Sequence, residues 1–304
     1  MNPLKLLGGA VGVAAAGLAY AHLETKLFTL RRVTVPVLTP GERDVRVLHV
    51  SDLHLTPGQG RKIEWVRSLA ALEPDLVVNT GDNFAHPDSL APLLHALEPL
   101  LAFPGAFVMG SNDYYSPSFK NPARYLLPDA RLPFRRQPDL PADELAKAMS
   151  AAGWADLDNR RDVVEVHGRP VTLVGVDDPH IDRDVYPEAA EAPSGTVLRL
   201  GVTHAPYVRV LDQMHADDVD AIIAGHTHGG QLCLPFYGAL VTNCDIDRHR
   251  VKGLHGWPDA RPDEHGGEGS TWLHVSAGAG TSPYAPVRFA CRPEATLITF
   301  TARR

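Results

Sequence analysis

The sequence repeatedly places a short aliphatic or β-branched run directly before a small group of polar residues. The runs are VRVLHV before SDLH, DLVVNT before GDN, GAFVM before GSND, VTLVGV before DD, LRLGV before TH, DAIIA before GHTH, and WLHVS before AG. Apolar runs of this length are typical of strands buried on both faces. Helical patterns lie between several of them, for example at residues 60–72 and 142–152. The alternation predicts an α/β domain with largely parallel strands, whose ligand site lies beyond the carboxyl ends of the strands.

Composition excludes several other classes of protein. The 304 residues are 44% hydrophobic and 21% charged, which is typical of one large globular domain or two small ones. A formal net charge of −7 gives no basic field for a nucleic acid. Three scattered cysteines are too few for a disulfide framework or a zinc site with paired thiolates.

The N-terminal segment differs from the remainder of the chain. Residues 6–21 carry no charge, but a membrane span needs about 20 apolar residues. Three interpretations stay open: an uncleaved anchor, a signal peptide cleaved after Ala21, and a buried helix of the domain. We expect the anchor, with residues 1–38 as anchor or signal segment plus linker and residues 39–304 as the main domain. This predicts a membrane-associated protein, and the charges that flank the segment do not fix its side of the membrane.

The polar ends of the runs together offer carboxylate, imidazole and amide groups and no thiolate. Asp-x-His and His-x-His spacings place paired side chains on one face of a strand end, because side chains alternate along a strand. Mixed nitrogen and oxygen donors suit Mn, Fe, Zn or Co. Seven donors are about the number that two ions sharing a carboxylate need, and paired ions serve phosphoryl chemistry. The donors are Asp52, His54, Asp82, Asn112, His204, His226 and His228.

Four segments, VLHVSDLHL, VVNTGDN, GVTHAPY and AGHTHGGQ, resemble the ordered motifs of the calcineurin-like metallophosphoesterase superfamily. The resemblance extends over about residues 45–300. It implies a four-layer α-β-β-α sandwich, in which two mixed β-sheets are flanked by helices. It also implies two divalent metal ions and hydrolysis of a phosphoester or pyrophosphate bond. GHTHGGQ further resembles a branch of membrane-associated bacterial phosphoesterases related to UDP-diacylglucosamine pyrophosphatases.

The resemblance also implies roles for the seven donors. The first ion would be held by Asp52, His54 and His228, and the second by Asn112, His204 and His226, with Asp82 as the bridge. A hydroxide that bridges the ions would attack a phosphorylated small molecule or a phospholipid-like substrate. We expect a monomer that binds no nucleic acid. The alternatives are a non-catalytic scaffold that binds a partner, and a nuclease of the same superfamily, which the negative charge disfavours.

The GSND segment departs from the family pattern Gly-Asn-His-Asp. An ungapped alignment places Ser111 at the asparagine and Asn112 at the histidine. A shift of one residue instead places Asn112 on the metal and Asp113 at the histidine, and we favour this shift because an amide oxygen is the better ligand. The usual general acid is absent in both cases. Either the leaving group needs no proton, or His86 supplies it, or catalysis is lost; we expect a rebuilt loop with Asp82, Asn112 and His86 as catalytic residues.

Residues 114–140 interrupt the alternation with a stretch rich in proline, aromatic residues and arginine. Long loops inside a domain are usually functional. We expect this cap to bind the substrate through Tyr114, Tyr115 and Arg124, and the alternative is a surface loop with ordinary packing aromatics.

Overall fold

The computed structural model describes residues 3–119, 137–234 and 236–303. Its helices are α1 (Pro3–Glu24), α2 (Gly60–Ser68), α3 (Leu90–Leu97), α4 (Ser111–Tyr114), α5 (Ala142–Ala151) and α6 (Val208–Ala216). Short 3-10 turns cover Leu69–Leu72, Pro87–Ser89, Pro179–Ile181 and His228–Gly230. The strands are β1 (Thr29–Leu38), β2 (Val45–Val50), β3 (Leu76–Asn79), β4 (Gly105–Phe107), β5 (Ala155–Asp156), β6 (Arg160–Val166), β7 (Arg169–Val176), β8 (Leu198–Thr203), β9 (Ala221–Ala224), β10 (Cys233–Leu234), β11 (Gly238–Ala239), β12 (Gly253–Trp257), β13 (Thr271–Val275) and β14 (Glu294–Ala302).

Most of the strands belong to two six-stranded sheets. The first sheet has the order β1-β14-β2-β3-β4-β5 and the second has the order β12-β13-β9-β8-β7-β6. In the first, β2 to β5 run parallel and β14 runs antiparallel to β2. In the second, β7, β8, β9 and β13 run parallel, and β6 and β12 are antiparallel edges. The prediction of two mixed sheets is confirmed.

Apolar side chains fill the interior between the sheets and cover both outer faces. Val47 and Val78 of the first sheet belong to the same buried cluster as Val171 and Ile223 of the second. Helices α2, α3 and α5 pack on the outer face of the first sheet, and α6 packs on the outer face of the second. The resulting four layers leave the carboxyl ends of the parallel strands of both sheets for the site.

The prediction of a single N-terminal membrane anchor is wrong. Within the described residues, no helix combines the length and the apolar character that crossing a bilayer requires. Residues 6–21 do form most of α1, but they are largely glycine and alanine, which contribute little apolar surface.

The end of α1 instead contacts the domain. The Arg288 amide donates to the Ala21 carbonyl at 2.9 Å, and the Tyr20 ring meets the Phe289 ring edge-on at 5.7 Å. The buried Glu24 carboxylate accepts hydrogen bonds from the Cys291 and Ala290 amides at 2.7 Å and 3.0 Å. The last turn of α1 is therefore fixed to the segment that precedes β14.

Residues 29–38, which the sequence analysis assigns to a linker, form the edge strand β1. This strand pairs in parallel with β14 along its whole length. Val35, Val37 and Leu38 are buried in the cluster between the sheets. The sheet therefore extends into the segment that precedes residue 39.

We expect deletion of residues 1–38 to destabilise the fold, whereas deletion of residues 1–19 should not. Loss of β1 removes three buried aliphatic side chains, each worth about 1.5–3 kcal/mol, from a total stability of about 5–15 kcal/mol. It also leaves β14 as an unpaired edge. Thermal unfolding followed by circular dichroism measures both deletions against the full chain, and equal melting of the full chain and the longer deletion would contradict a structural role for β1.

Candidate metal centre

The predicted donor residues meet where the carboxyl ends of the two sheets face each other. Asp52 and His54 follow β2, Asp82 follows β3, and Asn112 lies in α4. The other donors follow β8 and β9 of the second sheet: His204, His226 and His228. All are buried except Asn112 and His228, which are partly exposed.

Left-handed backbone conformations bring these side chains together. Strand β2 ends at Val50, before the donors begin, so the alternation of side chains along a strand is not the cause. The φ angles are 51° for Asp52, 39° for His54, 54° for Asp82, 67° for His226 and 50° for His228. Such conformations cost about 1–3 kcal/mol each in residues other than glycine and tend to cluster at functional sites. Five of them in one cluster indicate a site whose geometry is maintained against backbone strain.

The first group of ligand atoms belongs to Asp52, His54 and His228. These atoms all lie within 4.8 Å of one another. The two imidazoles approach with 3.1 Å between their Nε2 atoms, and Nε2 of His228 lies 3.7 Å from Oδ1 of Asp52. This Oδ1 is buried and has no hydrogen-bond partner among the residues that the structure describes. A buried carboxylate oxygen in this state is costly unless a cation neutralises it.

The second group lies on the other side of Asp82 and contains His204 and His226. Nε2 of His204 is 3.1 Å from Nδ1 of His226. Nδ1–H of His204 donates to the Thr80 carbonyl at 2.6 Å, and Nε2 of His226 lies 3.0 Å from the Asn243 carbonyl oxygen. Backbone support on the outer ring nitrogen is usual for histidines that ligate a metal. The inner nitrogens are therefore the ones presented to the cluster.

The Asp82 carboxylate lies between the two groups. Its Oδ2 is 3.4 Å from Nε2 of His54, and its Oδ1 is 3.5 Å from Nε2 of His204. Burial alone would raise the pKa of Asp82, but electrostatic interaction with the imidazoles of His204, His54 and His226 outweighs it and holds this pKa well below its ordinary value. Asp82 is therefore ionised and offers one oxygen to each group. Asp52, Asp82 and His204 also form a set of ligand atoms that lie within 4.8 Å of one another.

Burial keeps three of the four histidines neutral. It lowers the pKa of His54 to about 4, and it lowers the pKa of His226 and of His228 well below the ordinary value. A neutral imidazole is the form that binds a metal ion. These side chains are ready to ligate near neutral pH without releasing a proton.

The pKa of His204 shifts in the opposite direction, because carboxylates surround this ring. Burial would lower its pKa, but Asp82, Asp178 and Asp52 outweigh burial and raise the pKa of His204 to about 9. The cluster therefore attracts positive charge. A divalent ion would supply that charge in place of the proton, and the mixed imidazole and carboxylate donors suit such an ion.

The GSND loop contacts Asp82 through Asn112. The Asn112 amide donates to Oδ1 of Asp82 at 2.7 Å, and its carboxamide nitrogen donates to Oδ2 at 2.9 Å. Asp113 is fully buried, and its carboxylate accepts hydrogen bonds from the Gly110, Asp82 and Asn83 amides at 2.8–2.9 Å. Asp113 therefore holds the loop against Asp82.

His86, the expected proton donor, lies at the start of the Pro87–Ser89 turn. Its side chain is 49% exposed, and its Nδ1 accepts a hydrogen bond from the Asp88 amide at 3.1 Å. None of the hydrogen bonds or ion pairs between described residues joins His86 to the donor cluster.

The three residues that we expect to bind the substrate differ from one another in their surroundings. Tyr114 is buried, and its hydroxyl donates to Oδ1 of Asp177 at 2.9 Å while the Arg183 guanidinium lies 4.1 Å from its ring centroid. Tyr115 is partly exposed, and Arg124 lies outside the described residues. Tyr114 therefore connects α4 to the residue that follows β7.

Sequence reasoning missed a buried arginine behind His228. Arg288 is fully buried, and its Nη2 lies 3.3 Å from Nδ1 of His228. The same nitrogen donates to the backbone carbonyls of Ala277, Gly278 and Gly280 at 2.7–3.1 Å. The only signal in the sequence is an arginine between apolar neighbours in APVRFAC.

A fifth histidine also reaches the cluster. The His180 ring centroid is 4.4 Å from that of His226, and its Nδ1 lies 2.9 Å from the Tyr207 hydroxyl oxygen. His180 is partly exposed and follows the polar end of the VTLVGV run, in DDPH. The position of that run beside the other strand ends was the available signal.

Comparison with known proteins gives matches over the same region. Residues 45–230 match the sequence profile of the calcineurin-like phosphoesterases. The chain is 26% identical over 292 residues to a metallophosphoesterase of Aquifex aeolicus, covering 92% of this chain and 95% of that protein. It is 27% identical over 243 residues to YpbG of Bacillus subtilis, covering 76% and 80%. It is also 25% identical over 298 residues to phosphodiesterase YaeI of Escherichia coli, covering 93% of each chain.

We expect Gly110→Ala to disrupt the centre without a general loss of folding. A Cβ at this position would lie 2.4 Å from Oδ1 of Asp82 and 2.7 Å from Cε1 of His204, so the shared carboxylate must move. Activity on a phosphoester with added Mn²⁺ should fall by about 10- to 100-fold, as when support of a metal ligand is lost. Gly58→Ala is the matched control, because a Cβ there meets no atom within 4 Å. Equal activity of the two variants would show that the close approach of Gly110 to Asp82 is not required for activity.

Proposed function

The chain belongs to the calcineurin-like phosphoesterase family and is a metal-dependent phosphoesterase, and we propose that its reaction uses two metal ions that share Asp82. In this proposal Asp52, His54 and His228 hold the first ion. The second is held by Asn112, His204 and His226. Support comes mainly from one observation: the two oxygens of the Asp82 carboxylate face different imidazoles, His54 at 3.4 Å and His204 at 3.5 Å.

Two such ions would lower the pKa of water and neutralise negative charge on a phosphoryl group. The residues of the chain supply position and charge. The depressed pKa of Asp82 keeps one carboxylate ionised for both ions, and the neutral His54 and His228 leave their lone pairs for the first ion.

We assign Asn112 to the second ion through its carboxamide. The Asn112 backbone amide supports this assignment, because it donates at 2.7 Å to Oδ1 of Asp82, the oxygen that faces His204. The carboxamide itself lies beside the shared carboxylate, 2.9 Å from Oδ2. The orientation of an amide group is assigned from its hydrogen bonds, and rotation by half a turn exchanges its nitrogen and oxygen. Asp113 accepts hydrogen bonds from the Asp82 and Gly110 amides, and these bonds keep the loop next to Asp82 in either orientation of the Asn112 carboxamide.

The substrate that we propose is a phosphodiester or another phosphoester of a small molecule. The similarity to a relative named as a phosphodiesterase supports this class. The GSND loop provides no histidine to protonate the leaving group, so the enzyme should act fastest on esters whose leaving group is a weak base. Hydrolysis of bis(4-nitrophenyl) phosphate with added Mn²⁺ tests this proposal, and absence of turnover of any phosphoester in the metal-loaded protein would contradict it.

A proton donor remains necessary for substrates with poor leaving groups, and two histidines are candidates. His86 has the support of its position in the sequence, four residues after the shared carboxylate. His180 has the support of contact, because its ring lies 4.4 Å from that of His226 and is partly exposed. We propose His180 as the donor on this basis.

We expect Asp82→Asn to impair both ions at once, because one carboxylate serves both groups. Metal content after gel filtration, measured by mass spectrometry, should fall, and activity should drop by more than about 100-fold, the upper range for loss of a residue that supports a ligand. Asp44→Asn is the control, since Asp44 is an exposed carboxylate. A fully loaded, fully active Asp82→Asn protein would exclude a shared carboxylate.

We expect His180→Ala to slow hydrolysis of an alkyl phosphodiester by up to about 10²–10⁴-fold, the contribution of general acid catalysis. The variant should spare bis(4-nitrophenyl) phosphate, whose leaving group needs no proton. Rates on both substrates, measured at saturating Mn²⁺, give the comparison. The control is His86→Ala, which should affect the two substrates equally and weakly. The opposite pattern would assign the donor to His86, and equal large losses from His180→Ala would indicate a role in folding or metal binding.

A further inference from the structure

A row of buried polar side chains leads away from Asp52 into the interior between the sheets. His49 Nε2 lies 2.9 Å from the Thr80 hydroxyl oxygen, and the Thr80 hydroxyl donates to the Ser51 hydroxyl oxygen at 2.7 Å. The Ser51 hydroxyl in turn donates to Oδ2 of Asp52. At the far end, Nδ1 of His49 is 3.1 Å from Nδ1 of His274. We call these four residues the buried network: His274, His49, Thr80 and Ser51.

The buried network connects the two sheets. His49 lies in β2 of the first sheet and His274 lies in β13 of the second. All four of its members are at most 4% exposed. None of them is among the donors of the metal centre, so ligation does not explain why four polar groups occupy the apolar interior, where unsatisfied polar groups are costly.

The carboxylate at one end fixes the direction of every hydrogen bond. Oδ2 of Asp52 only accepts when ionised, so the Ser51 hydroxyl donates to it, and the Thr80 hydroxyl donates to Ser51. The Thr80 oxygen then accepts from Nε2–H of His49. Burial lowers the pKa of His49 well below its ordinary value and lowers that of His274 to about 3. Each ring is therefore neutral, and Nδ1 of His49 accepts from Nδ1–H of His274.

The last bond of the network distinguishes the two oxygens of Asp52. Oδ2 accepts from Ser51 and from the His226 amide, the latter at 3.0 Å. Oδ1 has no hydrogen-bond partner among the described residues and lies 3.7 Å from Nε2 of His228. The carboxylate is thus held by one oxygen, and the other is directed into the first group of metal donors.

We propose that the buried network positions Asp52 so that Oδ1 ligates the first metal ion. Thr80 and Ser51 are then positioning residues that act through Asp52 and do not contact the substrate. Thr80 connects both groups, because its hydroxyl belongs to the network while its carbonyl accepts from His204 at 2.6 Å. The proposal rests on the proposed function, since it requires a metal ion at Asp52.

The close packing around the network supports a fixed arrangement. A Cβ on Gly225 would lie 1.9 Å from Oγ of Ser51 and 2.7 Å from Oδ2 of Asp52. A Cβ on Gly278 would lie 2.5 Å from Cβ of Asp52. Backbone on both sides therefore limits the rotation of the Asp52 side chain, and the hydrogen bond from Ser51 selects the orientation within that space.

The test uses the full chain without metal, titrated with Mn²⁺ by isothermal titration calorimetry. Thr80→Val keeps the shape of the side chain and removes the hydroxyl that joins His49 to Ser51. We expect Thr80→Val to reduce Mn²⁺ affinity at the same site that Asp52→Asn weakens. The reduction should be about 10- to 100-fold, the loss typical for partners of metal ligands. Thr80→Ser, which retains the hydroxyl, should restore the affinity of the unmodified chain.

Thr296→Val is the matched control. Thr296 is buried in β14 opposite His49, and its hydroxyl has no hydrogen-bond partner among the described residues. The same chemical change in the same interior should therefore leave Mn²⁺ affinity unchanged. Ser51→Ala is a second variant for the case in which Thr80→Val does not fold, because it breaks the network by removal of a single atom.

A double-mutant cycle separates positioning from general destabilisation. If Thr80 acts through Asp52, Thr80→Val should cause no further loss of affinity in the Asp52→Asn background. A folded Thr80→Val or Ser51→Ala protein with the Mn²⁺ affinity of the unmodified chain would overturn the inference, as would additive losses in the cycle. Failure of the unmodified chain to bind Mn²⁺ would instead contradict the proposed function itself.

Discussion

The structure depends on a concentration of carboxylate and imidazole groups that are buried together. Asp52 and Asp82 meet the inner nitrogens of four histidines at the carboxyl ends of two sheets. One carboxylate oxygen has no hydrogen-bond partner among the described residues, and the carboxylates raise the pKa of His204 to about 9. Dehydrated groups of this kind are costly unless a cation binds them. The fold therefore acts as a rigid support for a site whose groups favour divalent ions.

That support is built from the backbone as much as from side chains. The left-handed conformations of Asp52, Asp82 and His226 turn the chain back at the strand ends, and Gly110 permits a loop to approach the shared carboxylate. The buried network adds direction, since it holds one oxygen of Asp52 and leaves the other for ligation. Strain and burial of polar groups at one place are expected where a protein pre-organises a functional site.

Much of the fold and of the donor cluster could be predicted from the sequence, for physical reasons that the structure makes clear. Uninterrupted aliphatic runs form strands buried on both faces, and parallel strands must bring their polar ends to common edges. The alternation of side chains along a strand predicts that Asp52 and His54 converge, but β2 ends before both residues. They do converge, for a different reason. Periodicity describes side chains within a strand, whereas these donors are placed by turns that only the folded chain defines.

Other features depend on contacts that a sequence does not contain. The sequence predicts a linker where β1 lies, because an edge strand lacks the continuous apolar run of an interior strand and Pro36 interrupts this one. His180, Arg288 and the pairing of His49 with His274 arise between elements that are distant in the chain.

The most direct test of two ions that share Asp82 is a crystal structure of the full chain with bound Mn²⁺, from data that record the anomalous signal of the metal. Two anomalous peaks about 3.5–4 Å apart, the separation usual for paired ions in phosphoryl chemistry, should lie on opposite sides of the Asp82 carboxylate. One of them should lie against Oδ1 of Asp52 and the other between His204 and His226. A single peak, or two peaks that do not both contact Asp82, would contradict the shared carboxylate on which the account depends.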